Sequence, residues 1–128
     1  MLMGRRTYDF VRGFDGPWPY GETPVLVATR GRIEPKVESV CRVTGTIEEL
    51  IEQAKSAAGE RDVYVDGGAL TRSVLTAGLL DEITLTMIPV ALGEGVSLFG
   101  GLQDRRQFEL QGSRELGAGL VQLVYRPR

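Results

Sequence analysis

The run Val25-Leu26-Val27-Ala28-Thr29 constrains this chain most, because it lacks polar alternation and so fits a strand buried on both faces. Such strands belong to parallel sheets with packed layers on either side. The neighbouring sequence reads the same way. Val40 to Thr44 is a second short strand. Thr46, with Glu49 three residues later, forms the capping-box pattern, and Ile47, Leu50, Ile51 and Ala54 then recur at helical spacing up to Gly59. Asp62 to Asp66 reads as a strand closed by Gly67-Gly68, and Ala69 to Ala77 as a short helix stopped by Gly78. Ile83 to Val90 alternates Ile83, Leu85 and Met87 with Thr84 and Thr86, the period of a strand, and Pro89 puts its end off the central ladder. Gly13 to Pro24, with Phe14, Trp18 and Tyr20, reads as a long loop, and Ala91 to Gly101 as a glycine-rich one. Phe108 to Leu110 and Leu120 to Tyr125 form a terminal antiparallel pair joined through Gly112 to Gly119. This order predicts one α/β domain over residues 1–128, with a mainly parallel mixed sheet and antiparallel C-terminal strands.

Several function classes drop out on residue content. The chain has no histidine, which removes the commonest general base, every Ser-His or Cys-His pair and the commonest metal ligand. Catalysis must rest on carboxylates, Tyr, Lys, Arg or a cofactor. Cys41 is the only cysteine, so no internal disulfide and no metal site is expected; it reads as an inert core residue in a reducing, cytoplasmic protein. A net charge of -2 gives no reason to expect nucleic acid or an anionic membrane, although a local basic spot can still hold a phosphate. No apolar run approaches the roughly 20 residues of a membrane span. Met1 to Arg6 does not read as a signal peptide, since its charges follow the apolar residues. There is no G-x-G-x-x-G after a strand, no P-loop and no G-x-S-x-G, which disfavours a Rossmann dehydrogenase, an NTPase and a serine hydrolase.

Three short segments carry chemistry. In Gly4-Arg5-Arg6-Thr7-Tyr8, a strand ending at Met3 and a helix starting near Arg6 put Gly4 at the turn. Helix amides, the Thr7 hydroxyl and Arg5 or Arg6 then suit a phosphate. In Thr29-Arg30-Gly31-Arg32, a hydroxyl and guanidiniums beyond a strand's carboxyl end suit a phosphate monoester. By themselves these two read more simply as a solvated helix start and a basic surface loop. In Asp66-Gly67-Gly68-Ala69-Leu70-Thr71, paired glycines let a ring or phosphate approach the backbone, or simply make a tight turn. Asp66 either touches substrate or caps the following helix, with the cap the simpler reading. Tyr8 and Tyr64 read as packing residues.

Taken in order, these segments resemble the dihydrofolate reductase superfamily. Gly4-Arg5-Arg6-Thr7-Tyr8-Asp9 is similar to its pyrophosphate-binding turn, Val25 to Arg30 to its strand and 2′-phosphate loop, and Val63 to Leu75 to its strand, Gly-Gly and helix. Ala77-Gly78-Leu79-Leu80-Asp81-Glu82-Ile83 through Pro89-Val90-Ala91-Leu92-Gly93-Glu94-Gly95 to Leu98-Phe99 is similar to the bacterial riboflavin-biosynthesis reductase branch. The resemblance implies a three-layer α/β/α fold and a homodimeric NADPH-dependent reductase of a small heterocyclic or ribosylamino-pyrimidine-type substrate. Gly4, Arg5, Arg6 and Thr7 would hold phosphates, and Thr29 and Arg30 the 2′-phosphate. Gly67, Gly68, Ala69, Leu70 and Thr71 would lie against the pyrophosphate and nicotinamide ribose, with a cis Gly67-Gly68 peptide. Asp81 and Glu82 would fix the start of a strand.

Members of this superfamily carry a strand, a mobile loop and a helix ahead of the Gly-Arg-x-Thr turn, which here starts at residue 4. That part holds a central strand and, in dihydrofolate reductases, the acid that assists protonation, so no catalytic acid is assigned. A sheet without it is expected to expose apolar surface and unpaired backbone groups. The expectations are then a fragment, a gap filled by a partner chain, or a non-catalytic nucleotide-binding or assembly module. Dihydrofolate reductase proper is a further alternative, disfavoured by the Leu79 to Phe99 segment.

Overall fold

Residues Leu2–Gly4 (β1), Val25–Ala28 (β2), Val40–Val43 (β3) and Val65–Asp66 (β4) form one parallel sheet in the order β3-β2-β1-β4. The computed structural model describes all of residues 1–128. Arg5–Arg12 (α1) links β1 to β2, Ile47–Ala58 (α2) links β3 to β4, and Gly68–Thr76 (α3) follows β4. Ile83–Met87 (β5), Phe108–Gly117 (β6) and Leu120–Pro127 (β7) make an antiparallel sheet in the order β5-β7-β6.

The pleat explains the layers. Leu2 and Leu26 are register partners, and so are Met3 and Val27, so alternate residues of β1 and β2 face opposite ways. On one face Leu2, Leu26 and Val43 pack against Leu50, Ile51 and Ala54 of α2 and Leu70 and Val74 of α3. On the other, Met3, Val25, Val27 and Val40 pack against Tyr8 and Val11 of α1 and against Trp18. The parallel sheet is thus sandwiched between helix layers, as a strand buried on both faces demands. Each fully buried side chain of this kind contributes about 1.5–3 kcal/mol. The α2 cap forms as its sequence predicts: Thr46 Oγ1 accepts from the Glu49 amide at 3.3 Å, and Glu49 Oε2 accepts from the Thr46 amide at 2.8 Å. Gly59 terminates the helix.

Four expectations are corrected. The C-terminal strands are not an edge of one mixed sheet; they form a sheet of their own, because β4 pairs only with β1 and β5 only with β7. The strand expected over Asp62 to Asp66 is ordered into the ladder only at Val65–Asp66, since β1 offers just three residues to pair with. Gly112 lies within β6 at a register irregularity, and the turn to β7 is made by Ala118 and Gly119, both at positive φ, as a tight hairpin requires. Cys41 is exposed rather than buried: β3 is the sheet edge, and α2 covers it only at Val43.

Candidate functional site

The strand order sets the location of the site. From β1 the chain moves outward to β2 and β3, then returns to β4 on the far side of β1. The carboxyl ends of β1 and β4 therefore flank the switch point, where open α/β sheets bind ligands. α1 leaves β1 through Gly4, and α3 leaves β4 through Gly67. Neither helix has a side-chain cap, and neither has an acidic residue in its first turn. α2, away from the switch point, is sealed by its capping box. Two helix N-termini with free amides and favourable dipoles thus open on one crevice, an arrangement suited to an anion. The turns touch: Gly67 sits at φ 100°, and a Cβ built there would fall 2.5 Å from Thr7 Oγ1.

The predicted residues divide by what they do. Arg5 is committed to the fold. It pairs with Asp9 at 2.8 Å through Nε, and its Nη1 donates to the Arg32 carbonyl at 2.6 Å, bracing the loop after β2 against α1. Arg6, Arg30 and Arg32 carry guanidiniums with no hydrogen bond or ion pair, so their charges are uncommitted. The Thr29 amide donates to the Val43 carbonyl, and its hydroxyl accepts from the Gly31 amide at 3.2 Å. Thr29 and Arg30 line an open groove of about 580 Å³ over the ends of β2 and β3, together with Thr44, Thr46 and Glu49. Gly31 lies 3.6 Å, measured from its would-be Cβ, from Arg5 Nη1, so this groove adjoins the α1 turn. In α3, Leu70 is turned into the core and the Thr71 amide donates to the Gly67 carbonyl, leaving Gly68 and Ala69 at the free end. No peptide bond is cis, so Gly67-Gly68 is trans; the turn uses the positive φ of Gly67 instead.

Asp66 does not cap α3, because Gly67 occupies the N-cap position with no side-chain bond to the helix. Asp66 is the register partner of Met3, which puts both side chains on the α1 side of the sheet. There it faces Tyr20 and Tyr64. Burial, foremost, and then the Asp66 carboxylate and the Tyr64 phenol push the Tyr20 pKa above its ordinary value. The Tyr20 ring stands edge-on to Trp18 at 5.2 Å, and Trp18 to Tyr8 at 6.0 Å, a ladder running from the core to the crevice. Tyr8 anchors it: its hydroxyl donates to the Glu34 carbonyl at 2.8 Å and accepts from the Lys36 amide. Tyr20 and Tyr64 lie near Asp66, a neighbourhood that sequence reasoning missed, since Tyr64 read as a packing residue and Tyr20 as part of a loop. The available signal was the density of aromatics in a Gly/Pro loop. No group of three or more His, Cys, Asp or Glu side chains converges to hold a metal.

Parallel layers, the switch-point crevice and paired uncapped helices define an α/β domain of the dihydrofolate reductase-like class. Residues 18–122 match the RibD C-terminal domain family model. The chain belongs to that family. It is 34% identical to a protein of Shewanella sp. PV-4 named as a candidate riboflavin biosynthesis protein, with a TM-score of 0.85 over 99% of this chain and 72% of that one. A pyrimidine reductase-like protein of Corynebacterium diphtheriae shares the fold at 12% identity and a TM-score of 0.71, covering 99% of this chain and 75% of the other. The Bacillus subtilis uncharacterized protein YwjB is 29% identical over 98% of this chain and 71% of its own length.

Proposed function

We propose that this protein is an NADPH-dependent reductase of a small heterocyclic or ribosylamino-pyrimidine-type substrate, as family membership suggests. One observation carries the cofactor half: two helix N-termini, uncapped and free of acidic residues, meet at the switch point through Thr7 and Gly67. The free amides of α1 and α3 with the Thr7 hydroxyl would hold a diphosphate. Thr29, Arg30 and Arg32 would hold the 2′-phosphate that separates NADPH from NADH, through charge-assisted hydrogen bonds. Bound there, the cofactor supplies hydride. On the adjoining face, Asp66 offers a carboxylate acceptor between two phenols, Tyr20 and Tyr64, and would orient the N–H groups of a flat ring. The exposed single cysteine suits a reducing, cytoplasmic setting.

The test is a titration with NADPH and with NADH, read by Trp18 fluorescence and by heat. A bond from a guanidinium to a charged oxygen is worth about 1.5–3 kcal/mol. Arg30→Ala should therefore weaken NADPH about tenfold or more and leave NADH unchanged. Folded protein that binds neither nucleotide would refute the reading. A second reading, a nucleotide-binding or assembly module without chemistry, is favoured by the large uncovered surface of the antiparallel sheet. NADPH binding without reduction across a panel of pyrimidines and pteridines would select it.

A further inference from the structure

The connection from β5 to β6, residues 88–107, is fastened along α3 by two arginines. Arg72 of α3 donates from Nη1 to the Ser97 carbonyl at 3.2 Å and to the Leu98 carbonyl at 3.1 Å. Arg106, from the connection, donates from Nη2 to the Thr76 carbonyl at the other end of the helix. The Arg106 contact follows the helix dipole, since α3 has no basic residue in its last turn and a cation there is favourable. The Arg72 contact runs against it. The side chain folds back one turn, so that Nη1 lies 3.2 Å from a Cβ built on Gly68, with the Leu98 carbonyl 4.0 Å from the same point. A positive charge is thus held at the positive end of α3, and no carboxylate pairs with it.

The segment that Arg72 holds is pinned from its other side as well. Phe99 packs on Phe108 with ring centroids 5.8 Å apart, and Phe108 on Tyr125 at 6.3 Å. Ser97 to Phe99 therefore forms a strap between the first turn of α3 and the antiparallel sheet. The residues just before it are not held: Leu92 is 79% exposed, Val96 is 98% exposed, and Gly93 takes a positive φ. Arg72 is the α3 side chain that bonds to the strap, so the two carbonyl contacts set how it lies against Gly68.

We infer that Arg72 is a positioning residue that couples the Ser97–Phe99 strap to an anion on the α3 turn, an inference that rests on the cofactor reading of that turn. A diphosphate on the α3 amides would neutralise the charge that the dipole opposes, and so tighten the guanidinium on its two carbonyls. Coupling of this kind is reciprocal: a ligand that docks the strap is itself held more tightly when the strap is docked.

Limited chymotrypsin digestion, with cleavage sites read by mass, tests this. Phe14, half-exposed beyond the carboxyl end of α1, serves as the internal reference. Saturating NADPH should slow cleavage after Phe99 about tenfold relative to cleavage after Phe14. Arg72→Ala should abolish that protection and weaken NADPH by the same factor, whereas Arg72→Lys, which keeps the charge and the donors, should retain most of both. The wild-type comparison needs no variant to fold. Wild type that binds NADPH while the ratio of the two cleavages stays unchanged would overturn the inference and leave the cofactor reading standing. So would Arg72→Ala that binds NADPH and protects Phe99 as wild type does, the result of a merely structural tether. Inorganic pyrophosphate is the second probe. If NADPH does not bind but pyrophosphate protects Phe99, the strap inference holds and the NADPH reading falls; if neither protects it, the inference falls as well.

Discussion

Replacing Gly67 by alanine tests the contact on which the candidate site depends. Gly67 lies at φ 100° and ψ 124°, where an L side chain is strained by about 1–3 kcal/mol. The new Cβ would also fall 2.5 Å from Thr7 Oγ1, so one of the two turns must move. Overpacking of that sort adds about 1–3 kcal/mol. The total is about 2–6 kcal/mol, and for a domain of this size each kcal/mol lowers Tm by roughly 3–6 °C. Urea unfolding of Gly67→Ala, Thr7→Ala and the double variant separates the two parts. Thr7→Ala removes the clashing oxygen but cannot relieve φ, so the double variant should be more stable than Gly67→Ala alone by about 1–2 kcal/mol. Strict additivity of the two changes would show that the turns do not touch. A Gly67→Ala protein as stable as wild type would remove the strain as well, and with it the reason for glycine at this position.

The remaining predictions concern α2 and the aromatic ladder. Thr46→Ala should destabilise the protein by about 1 kcal/mol in urea, and Thr46→Ser much less, because the capping box supplies two of the α2 end bonds. Tyr20 has a folded-state pKa above 10.0, raised first by burial and then by Asp66, so the folded protein holds that proton more tightly than the unfolded chain. Its contribution is therefore fully present below pH 10.0 and is lost as pH rises through the folded value. Urea melts at alkaline pH should show a steeper decline for wild type than for Tyr20→Phe; identical slopes would separate Tyr20 from the Asp66 carboxylate.

Local chemistry made much of the fold legible. The Val25–Ala28 strand, buried at Val25, Leu26 and Val27, follows from its unbroken apolar run. The α2 limits follow from Thr46, Glu49 and Gly59, because a cap is a bond between residues three apart and needs no distant partner. The strand-to-helix turns at Gly4 and Gly67 were readable for the same reason: each is a glycine between a strand and a helix. Arg5 was not, since it looked as available as Arg6 until Asp9 and the Arg32 carbonyl were found to hold it.

Tertiary structure alone decided three things, and each depends on residues far apart in sequence. It set Tyr20, from a loop, against Asp66, from a strand, so that the carboxylate meets a phenol rather than capping α3. It shortened β4, whose extent is limited by the length of β1 rather than by its own sequence. It also separated the C-terminal strands into a sheet of their own with an uncovered apolar face. The period-2 pattern of those strands determined that one face is apolar and the other polar, because alternation is a local property of the pleat. Which surface lies opposite that face is a matter of long-range packing, which no local pattern encodes.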